Sequence, residues 1–248
     1  MPFTITCDDC GMHESINEAT LELRREGMAY SASVLTNFPA VQHAFELFAP
    51  YPDLHIGSHL NLSEGMALTG ISPLTNDIGR FLPIEYLQRA WVYATPEFLE
   101  AAEAEFITQI EVLRSAGIQP EHITTHMHFH VIPALREIIV RLAQRYDVRW
   151  VRAYRARDTV IPNNPFIALR ENSSIRTLAY LAPVMYWLKL APQDMADALS
   201  TLRGTVEIVV HPALLNTPLP AGTRYPAPAR AREVEYLRRV WALLHEGA

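Results

Sequence analysis

Apolar runs alternate with amphipathic stretches along this chain, and the apolar runs tend to end in polar or ionisable residues. Short apolar runs bounded by Gly, Pro, Asn or Asp are typical of buried strands. They predict strands over 3–7, 31–37, 54–61, 123–125, 148–152 and 206–210. Between these runs, apolar residues recur at the spacing of helices that pack on a sheet by one face.

Capping and stop signals mark the predicted helices. Ser15 opens a predicted capping box, and Gly27 predicts the end of that helix. Thr95 and Pro96 predict the start of a long helix, as N-cap and first-turn residue. Further helices are predicted over 40–48, from 133 onward, over 193–202 and over 231–245.

This alternation of strands and helices predicts parallel strands joined by crossover helices. No Ser/Gly/Pro-rich linker and no internal repeat divides the sequence. We therefore expect residues 1–248 to form one α/β domain. Two less regular stretches, 63–94 and 153–192, are expected to shape a substrate pocket and any homodimer contact.

The most apolar stretch, 178–190, is shorter than the roughly 20 residues that a membrane span needs. Pro183 and Lys189 also interrupt it. A buried helix packed in the core, a lid over the substrate and an oligomer contact are all more plausible than a membrane span, and core packing is the favoured interpretation.

Composition describes an ordinary globular protein. The 248 residues are 49% hydrophobic and 19% charged. A net charge of −6 gives no electrostatic case for binding nucleic acid or an anionic membrane. The N-terminus lacks the basic-then-apolar order of a signal peptide, so a cytoplasmic protein is expected.

Cys7 and Cys10 have the spacing of a redox dithiol or half of a zinc site. They are the only cysteines, so no second pair completes a structural zinc site. Two acids lie between them, which does not suit a thioredoxin-type motif. Two inert buried thiols are the favoured interpretation.

The largest cluster of candidate functional residues is the histidine stretch of His126, His128 and His130, with His122 just upstream. If this segment is extended, alternate residues point to the same side and could present three imidazoles to one spot. Histidine is the commonest transition-metal ligand and the usual acid or base near neutral pH. The alternative is that these histidines only line a polar strand end.

Other ionisable residues follow other predicted strands. Asp8 and Asp9, His59, His126 and His211 all come at strand ends, and in α/β folds function gathers at the carboxyl ends of parallel strands. One Asp with two His leaves coordination positions open for water and substrate, as in a catalytic metal site.

The adjacent carboxylates of Asp8 and Asp9 fit a site in which one binds the metal and the other stays free as a base. On a straight strand the two side chains would point opposite ways. We therefore expect the turn ending at Gly11 to bring both to the site. The alternative is a solvated turn or a helix-capping pair.

Four segments, TCDDCG at 6–11, IGSHLNL at 56–62, HITTHMHFH at 122–130 and VHPA at 210–213, together resemble the YdjC-like (ChbG/HpnK) carbohydrate deacetylases. Their order and spacing match over nearly the whole chain. The resemblance implies a distorted TIM-like (β/α) barrel. It also implies the metal-dependent removal of acetyl groups from N-acetylated sugars.

The resemblance also assigns roles. It implies that Asp9, His59 and His126 hold one divalent metal ion, Mg²⁺ or Zn²⁺, of which the mixed donor set favours Zn²⁺. By the same resemblance, Asp8 would take the proton of the attacking water, and His211 would protonate the departing amine. The metal would polarise the amide and activate the water.

The chain departs from the family pattern at Cys10, where an aromatic residue is usual, and at Thr124, where Asp is usual. Neither change removes a proposed ligand, but each bears on the support of the site or on substrate choice. His128 and His130 are candidates for substrate binding, for orienting a ligand or for packing. Arg152 is a candidate to hold Asp8 ionised or to meet the substrate, with a surface ion pair as the alternative.

Two other functions stay open. An amidohydrolase-type barrel also binds metal through His-x-His, but on its first strand, where this chain has Asp8 and Asp9. A catalytically silent sugar-binding protein of the same fold is the other alternative. Asp8 and His211 argue against it, because binding alone needs neither a base nor an acid.

Overall fold

The fold is built around one curled, half-barrel sheet in which seven strands run parallel. The computed structural model describes residues 3–86, 95–152, 167–168, 180–215, 217–220 and 223–245. In chain order the strands are β1 (Phe3–Cys10), β2 (Ser31–Val34), β3 (His55–Leu60), β4 (His122–Thr125), β5 (Trp150–Val151), β6 (Ile167–Ala168), β7 (Tyr180–Pro183) and β8 (Val206–Val210). Their order across the sheet is β5-β4-β3-β2-β1-β8-β7-β6, and only β6 pairs antiparallel, with β7. This confirms the predicted α/β, TIM-like barrel architecture.

Helices connect the strands. They are α1 (Glu14–Arg25), α2 (Val41–Phe48), α3 (Pro96–Ser115), α4 (Pro133–Arg145), α5 (Pro192–Thr201) and α6 (Ala227–His245). Thr95 caps α3 as predicted, because its hydroxyl accepts a hydrogen bond from the backbone N–H of Phe98. None of the helices in the described part of the chain is long and apolar enough to cross a membrane.

Two predicted helix starts are wrong. The N-cap of α1 is His13, whose Nδ1 accepts the backbone N–H of Ser15, so Ser15 does not open a capping box. Helix α6 begins at Ala227 instead of 231, which places Arg230 inside it. His13 can cap α1 because its ring nitrogen accepts a hydrogen bond from the backbone, although His is not among the preferred N-cap residues.

Apolar side chains form two main cores on the helical side of the sheet. One joins β1, β2 and β8 to α1, α2, α5 and α6, through residues such as Ile5, Phe48 and Leu237. The other joins β3 and β4 to α3 and α4, through residues such as Phe106 and Ile139. Burial of these faces fixes each helix against the sheet and so fixes where the strands end.

The apolar stretch 178–190 is described from residue 180 onward. It forms β7 and a 3₁₀ turn (Val184–Tyr186), and Leu181, Val184 and Trp187 are buried. Core packing is therefore confirmed for this part, while a helix is wrong. The two less regular stretches, 63–94 and 153–192, are described only in part. Residues 87–94, 153–166 and 169–179 of these stretches lie outside the described residues.

The first strand runs further than predicted. It continues through Asp8 and Asp9 to Cys10, with a register shift against β2 between Cys7 and Cys10. Asp9 has φ 68°, a left-handed conformation that costs free energy for a residue with a side chain. The predicted turn at these aspartates is thus a bulge inside the strand.

Candidate active site

The bulge in β1 sends the two aspartates to different partners, and both side chains are buried, with 2% exposed. Asp8 accepts two hydrogen bonds from Arg152, at 2.6 Å from Nη1 and 3.0 Å from Nη2. Asp9 accepts a hydrogen bond from Nη2 of Arg230 at 2.7 Å through Oδ2. Because both carboxylates are buried and paired, a solvated turn is ruled out for them.

Arg152 is itself fully buried between Asp8 and Glu207. Its Nη2 donates to Oε1 of Glu207 at 2.6 Å, and its Nε contacts both oxygens of that carboxylate at 3.1 Å. Burial alone would raise the pKa of Asp8, but Arg152 and His59 lower it well below its usual value. A surface ion pair is therefore wrong for Arg152, which holds Asp8 ionised.

Asp9, His59 and His126 form the one group in the described residues whose ligand atoms converge as a metal site would require. One donor atom from each lies within 4.8 Å of the others, and all three residues are buried. Oδ1 of Asp9 is 2.9 Å from Nδ1 of His126 and 3.3 Å from Nε2 of His59. His59 Nε2 also lies 3.9 Å from Oδ2 of Asp8.

Both histidines of this group have partners on the far side of the ring. Nδ1 of His59 lies 2.7 Å from the hydroxyl of Thr124. Nε2 of His126 lies 3.5 Å from Oε1 of Glu64. Burial would lower the pKa of His126, but the carboxylates of Asp9 and Glu64 raise it to about 10.

The residues fit a divalent metal ion. One carboxylate with two imidazoles is a donor set that suits Zn²⁺ and related ions and leaves positions free for water or substrate. Thr124 occupies the position where the family pattern has Asp, and its hydroxyl contacts the outer nitrogen of His59. That contact would orient His59 if it binds a metal, which is the support a metal-binding histidine usually has.

The histidine stretch is not extended, so it does not present three imidazoles to one spot. Residues His126–Val131 form a 3₁₀ turn in which Met127 and His128 have φ values of 54° and 57°. His128 lines the cavity beside the carboxylates, and burial lowers its pKa to about 3. His130 lies 2.6 Å from the Thr125 hydroxyl and is not among the residues lining that cavity.

His211 follows β8 and lines the same cavity. Its backbone N–H and its Nδ1 contact Oε2 of Glu233, at 2.9 and 3.3 Å. Burial lowers the pKa of His211, but Glu233 and the two aspartates outweigh that effect and raise it. The ring of Tyr225 packs edge-on against the imidazole.

These side chains enclose a cavity of about 280 Å³. Its lining residues are Asp8, Asp9, His59, Glu64, Thr125, His126, Met127, His128, Met185, Tyr186, His211, Thr223, Arg224, Tyr225 and Arg230. The structure therefore brings together at one cavity six of the eight residues singled out from the sequence, with Arg152 behind Asp8.

A second cavity of about 550 Å³ adjoins the first and shares Glu64, Thr223 and Arg224 with it. Residues of the segment 63–86, among them Arg80 and Phe81, line it. The described part of that irregular segment thus borders the site, as expected.

Five charged residues in or beside the cavity were missed from the sequence: Glu64, Glu207, Arg224, Arg230 and Glu233. Glu207 had a signal, since it is the one charge within the apolar run 206–210. Arg230 and Glu233 lie three residues apart on α6 and are both buried, which only the helix's packing could show. Glu64 lies in an irregular segment and had no signal.

Cys7 and Cys10 are free and fully buried. Burial raises the pKa of Cys7 well above its ordinary value and that of Cys10 to about 12. A thiol must ionise to act as a nucleophile or ligand, so these residues fit the inert role favoured from the sequence.

Comparison with known proteins finds carbohydrate deacetylases among the proteins similar to this chain. A carbohydrate deacetylase of Halalkalibacterium halodurans is 31% identical over 245 residues, covering 97% of this chain and 96% of that protein. A carbohydrate deacetylase of Geobacillus stearothermophilus is 28% identical and covers 89% of this chain and 83% of its own.

A crystal structure from Enterococcus faecalis V583, described as a putative cellobiose-phosphate cleavage protein, shares the fold with a TM-score of 0.77 at 22% identity. It covers 99% of this chain and 94% of its own. The family model of the YdjC-like proteins matches residues 2–242. With almost its whole length matched, this chain belongs to the YdjC-like family.

Proposed function

We propose that this protein is a metal-dependent carbohydrate N-deacetylase that hydrolyses the acetamide of an N-acetylated sugar to acetate and a free amine. The observation that carries the proposal is that one cavity is lined by a carboxylate and an imidazole whose pKa values are shifted in opposite directions. Asp8 is held ionised by Arg152, and His211 is biased toward its protonated form by Glu233. A base and an acid with pKa values pushed apart are what amide hydrolysis requires. The relatives named carbohydrate deacetylase support the substrate class.

In this proposal Asp9, His59 and His126 hold one divalent ion, Zn²⁺ or Mg²⁺. The bound ion would supply Lewis-acid polarisation of the amide and acidify a water. Asp8 accepts the proton of the attacking water, and the Arg152 guanidinium keeps its carboxylate oriented and ionised. His211 donates a proton to the departing nitrogen, since an amine leaves far more readily than an amide anion. The whole chain acts as a single deacetylase domain.

The remaining candidates have secondary roles in this proposal. His128 lines the cavity and is kept neutral by burial, which suits a hydrogen bond to the sugar. His130 supports the turn through Thr125. Arg152 acts on Asp8 and not on the substrate, because it is fully buried and pairs with Asp8 and Glu207.

The test is an acetate-release screen over N-acetylated mono- and oligosaccharides, with the protein loaded with Zn²⁺ or Mg²⁺ or treated with a chelator. Phosphorylated disaccharides belong in the panel, since the fold relative is described as acting on a cellobiose phosphate. We expect acetate release that the chelator abolishes. Metal-loaded protein that releases acetate from no substrate would favour the silent sugar-binding alternative.

A further inference from the structure

We propose that Glu64 is a positioning residue for His126. Its carboxylate accepts the Nε2–H of that imidazole and so fixes the ring with Nδ1 toward Asp9. The inference rests on the proposed metal site but assigns a role to a residue outside it.

The two ring nitrogens of His126 face different carboxylates. Nδ1 lies 2.9 Å from Oδ1 of Asp9, on the side of the ligand group, and Nε2 lies 3.5 Å from Oε1 of Glu64. Nε2 is buried and makes no hydrogen bond within the described residues, so the Glu64 carboxylate at 3.5 Å is an acceptor within reach of an unsatisfied donor. A histidine that binds a metal through one nitrogen requires a partner for the other, and a carboxylate is a usual one.

His59 has the same arrangement with a different partner. Its Nε2 lies 3.3 Å from Oδ1 of Asp9, and its Nδ1 lies 2.7 Å from the hydroxyl of Thr124. Each imidazole therefore turns one nitrogen toward Asp9 and the other toward a supporting oxygen. Glu64 does for His126 what Thr124 does for His59.

Glu64 is held in place through its backbone. Its carbonyl accepts hydrogen bonds from the side-chain amides of Asn61, at 2.7 Å, and Asn37, at 3.0 Å. Its N–H donates to the side-chain oxygen of Asn61 at 3.2 Å. These two asparagines follow β3 and β2, so the rigid sheet sets the position of the Glu64 main chain.

Helix α3 completes the support. Gln109 exchanges two hydrogen bonds with the backbone of Asn61, at 2.9 and 2.7 Å. Buried Glu105 accepts a hydrogen bond from Gln109 and two from the backbone N–H groups of Leu68 and Thr69. The segment 61–69 is thus pinned on both sides of Glu64, and only 14% of the Glu64 side chain is exposed. A carboxylate supported in this way is preorganised, unlike a loose surface charge.

The decisive measurement is Zn²⁺ affinity, determined by competition with a chromophoric chelator after the metal is stripped from full-length protein. We expect Glu64→Ala to weaken binding about 10- to 100-fold, the usual cost of losing such a partner. Glu64→Gln keeps an oxygen acceptor of the same shape and should lose less. It also tests the role with minimal risk to folding.

Asp77→Ala is the matched control. Asp77 is exposed on the same segment and lines neither cavity, so its removal changes the net charge equally without touching His126. Its Zn²⁺ affinity should equal that of the wild type. A wild-type affinity in Glu64→Ala, or an equal loss in Asp77→Ala, would overturn the proposal.

Glu64 also lines both cavities and so could contact the sugar instead. That role would raise KM while leaving Zn²⁺ affinity unchanged, and this result would also reject the positioning role. Failure of the proposed deacetylase activity gives a different result. In that case the wild type binds Zn²⁺ more tightly than Glu64→Ala, yet releases no acetate.

Discussion

At the residue scale, the site depends on how two adjacent carboxylates acquire different environments. Asp8 is paired with the permanent charge of Arg152, whereas Asp9 faces two imidazoles through one oxygen and Arg230 through the other. The left-handed backbone at Asp9 makes this division possible, and it is the kind of strain that persists where a site requires it. The two aspartates therefore suit different proposed roles, Asp8 as the base and Asp9 as a metal ligand.

Asp8→Asn and His126→Ala should distinguish the loss of the base from the loss of the metal. Asp8→Asn removes the base but leaves the ligand group intact, so metal binding should persist while kcat falls by about 10²- to 10⁴-fold. His126→Ala should lose both metal and activity. Metal content by elemental analysis and acetate release by a coupled assay measure the two effects, and a fully active Asp8→Asn would show that the base is assigned wrongly.

Glu233→Gln should change the pH dependence of activity. Glu233, with smaller contributions from Asp9 and Asp8, raises the pKa of His211 against the opposing effect of burial. An acid is active when protonated, so activity is lost as the pH rises through its pKa. Removing the Glu233 charge lowers that pKa, and the alkaline limb of the kcat profile should move to lower pH.

Glu235→Gln provides the control for this profile. Glu235 is exposed on the same helix and pairs with Arg239. Its profile should coincide with that of the wild type. If Glu233→Gln also left the alkaline limb in place, His211 would not be the group that controls it.

At the element scale, the sequence predicts where strands end but not how those ends are shaped. The apolar runs and their polar ends placed Asp9, His59, His126 and His211 at one edge of the sheet. The bulge in β1 and the 3₁₀ turn at His126 were not predictable, because tertiary contacts impose both. The supporting ion pairs join residues 144 and 221 positions apart in the chain, and no local pattern encodes such pairs.

Strand packing below the site offers a test at this scale. Gly57 of β3 lies against the ring of His122 on β4, and a Cβ at position 57 would overlap that ring. His122 is fully buried, stacks on Trp150 and lies 3.1 Å from the Ser33 hydroxyl, so it has little room to move. Gly57→Ala should lower the free energy of unfolding by about 1–3 kcal/mol, the usual cost of overpacking.

Urea unfolding of Gly57→Ala, His122→Ala and the double variant checks this packing. Once the ring is removed, the added methyl group should cost much less, so the two effects should not be additive. Additive effects would mean that Gly57 and His122 do not constrain each other.

At the scale of the whole molecule, the site concentrates buried charge where α6 closes on the sheet. Asp8, Asp9, Glu207 and Glu233 are buried around Arg152 and Arg230. His126 and His211, whose pKa values are raised, add positive charge that balances the carboxylates left over by the two arginines. A divalent cation that binds the folded ligand group and not the unfolded chain should nevertheless stabilise the fold by mass action, as well as serve the reaction.

Removing the metal should therefore lower the melting temperature. A ligand at about 100 times its Kd stabilises the native state by about 2.7 kcal/mol. For a protein of this size, that corresponds to a fall of several degrees on chelation. Calorimetry with and without Zn²⁺ measures the shift, and His126→Ala should show almost none. An equal shift in that variant would place the ion elsewhere.

The central claim is best tested by measuring acetate and free amine together, with Zn²⁺-loaded wild type and Asp8→Asn acting on N-acetylated mono- and oligosaccharides. Both proteins should contain the metal. The wild type should release acetate and amine in equal amounts from at least one sugar, and Asp8→Asn should release almost none. Metal-loaded wild type that releases neither product, or Asp8→Asn that matches it, would contradict the account.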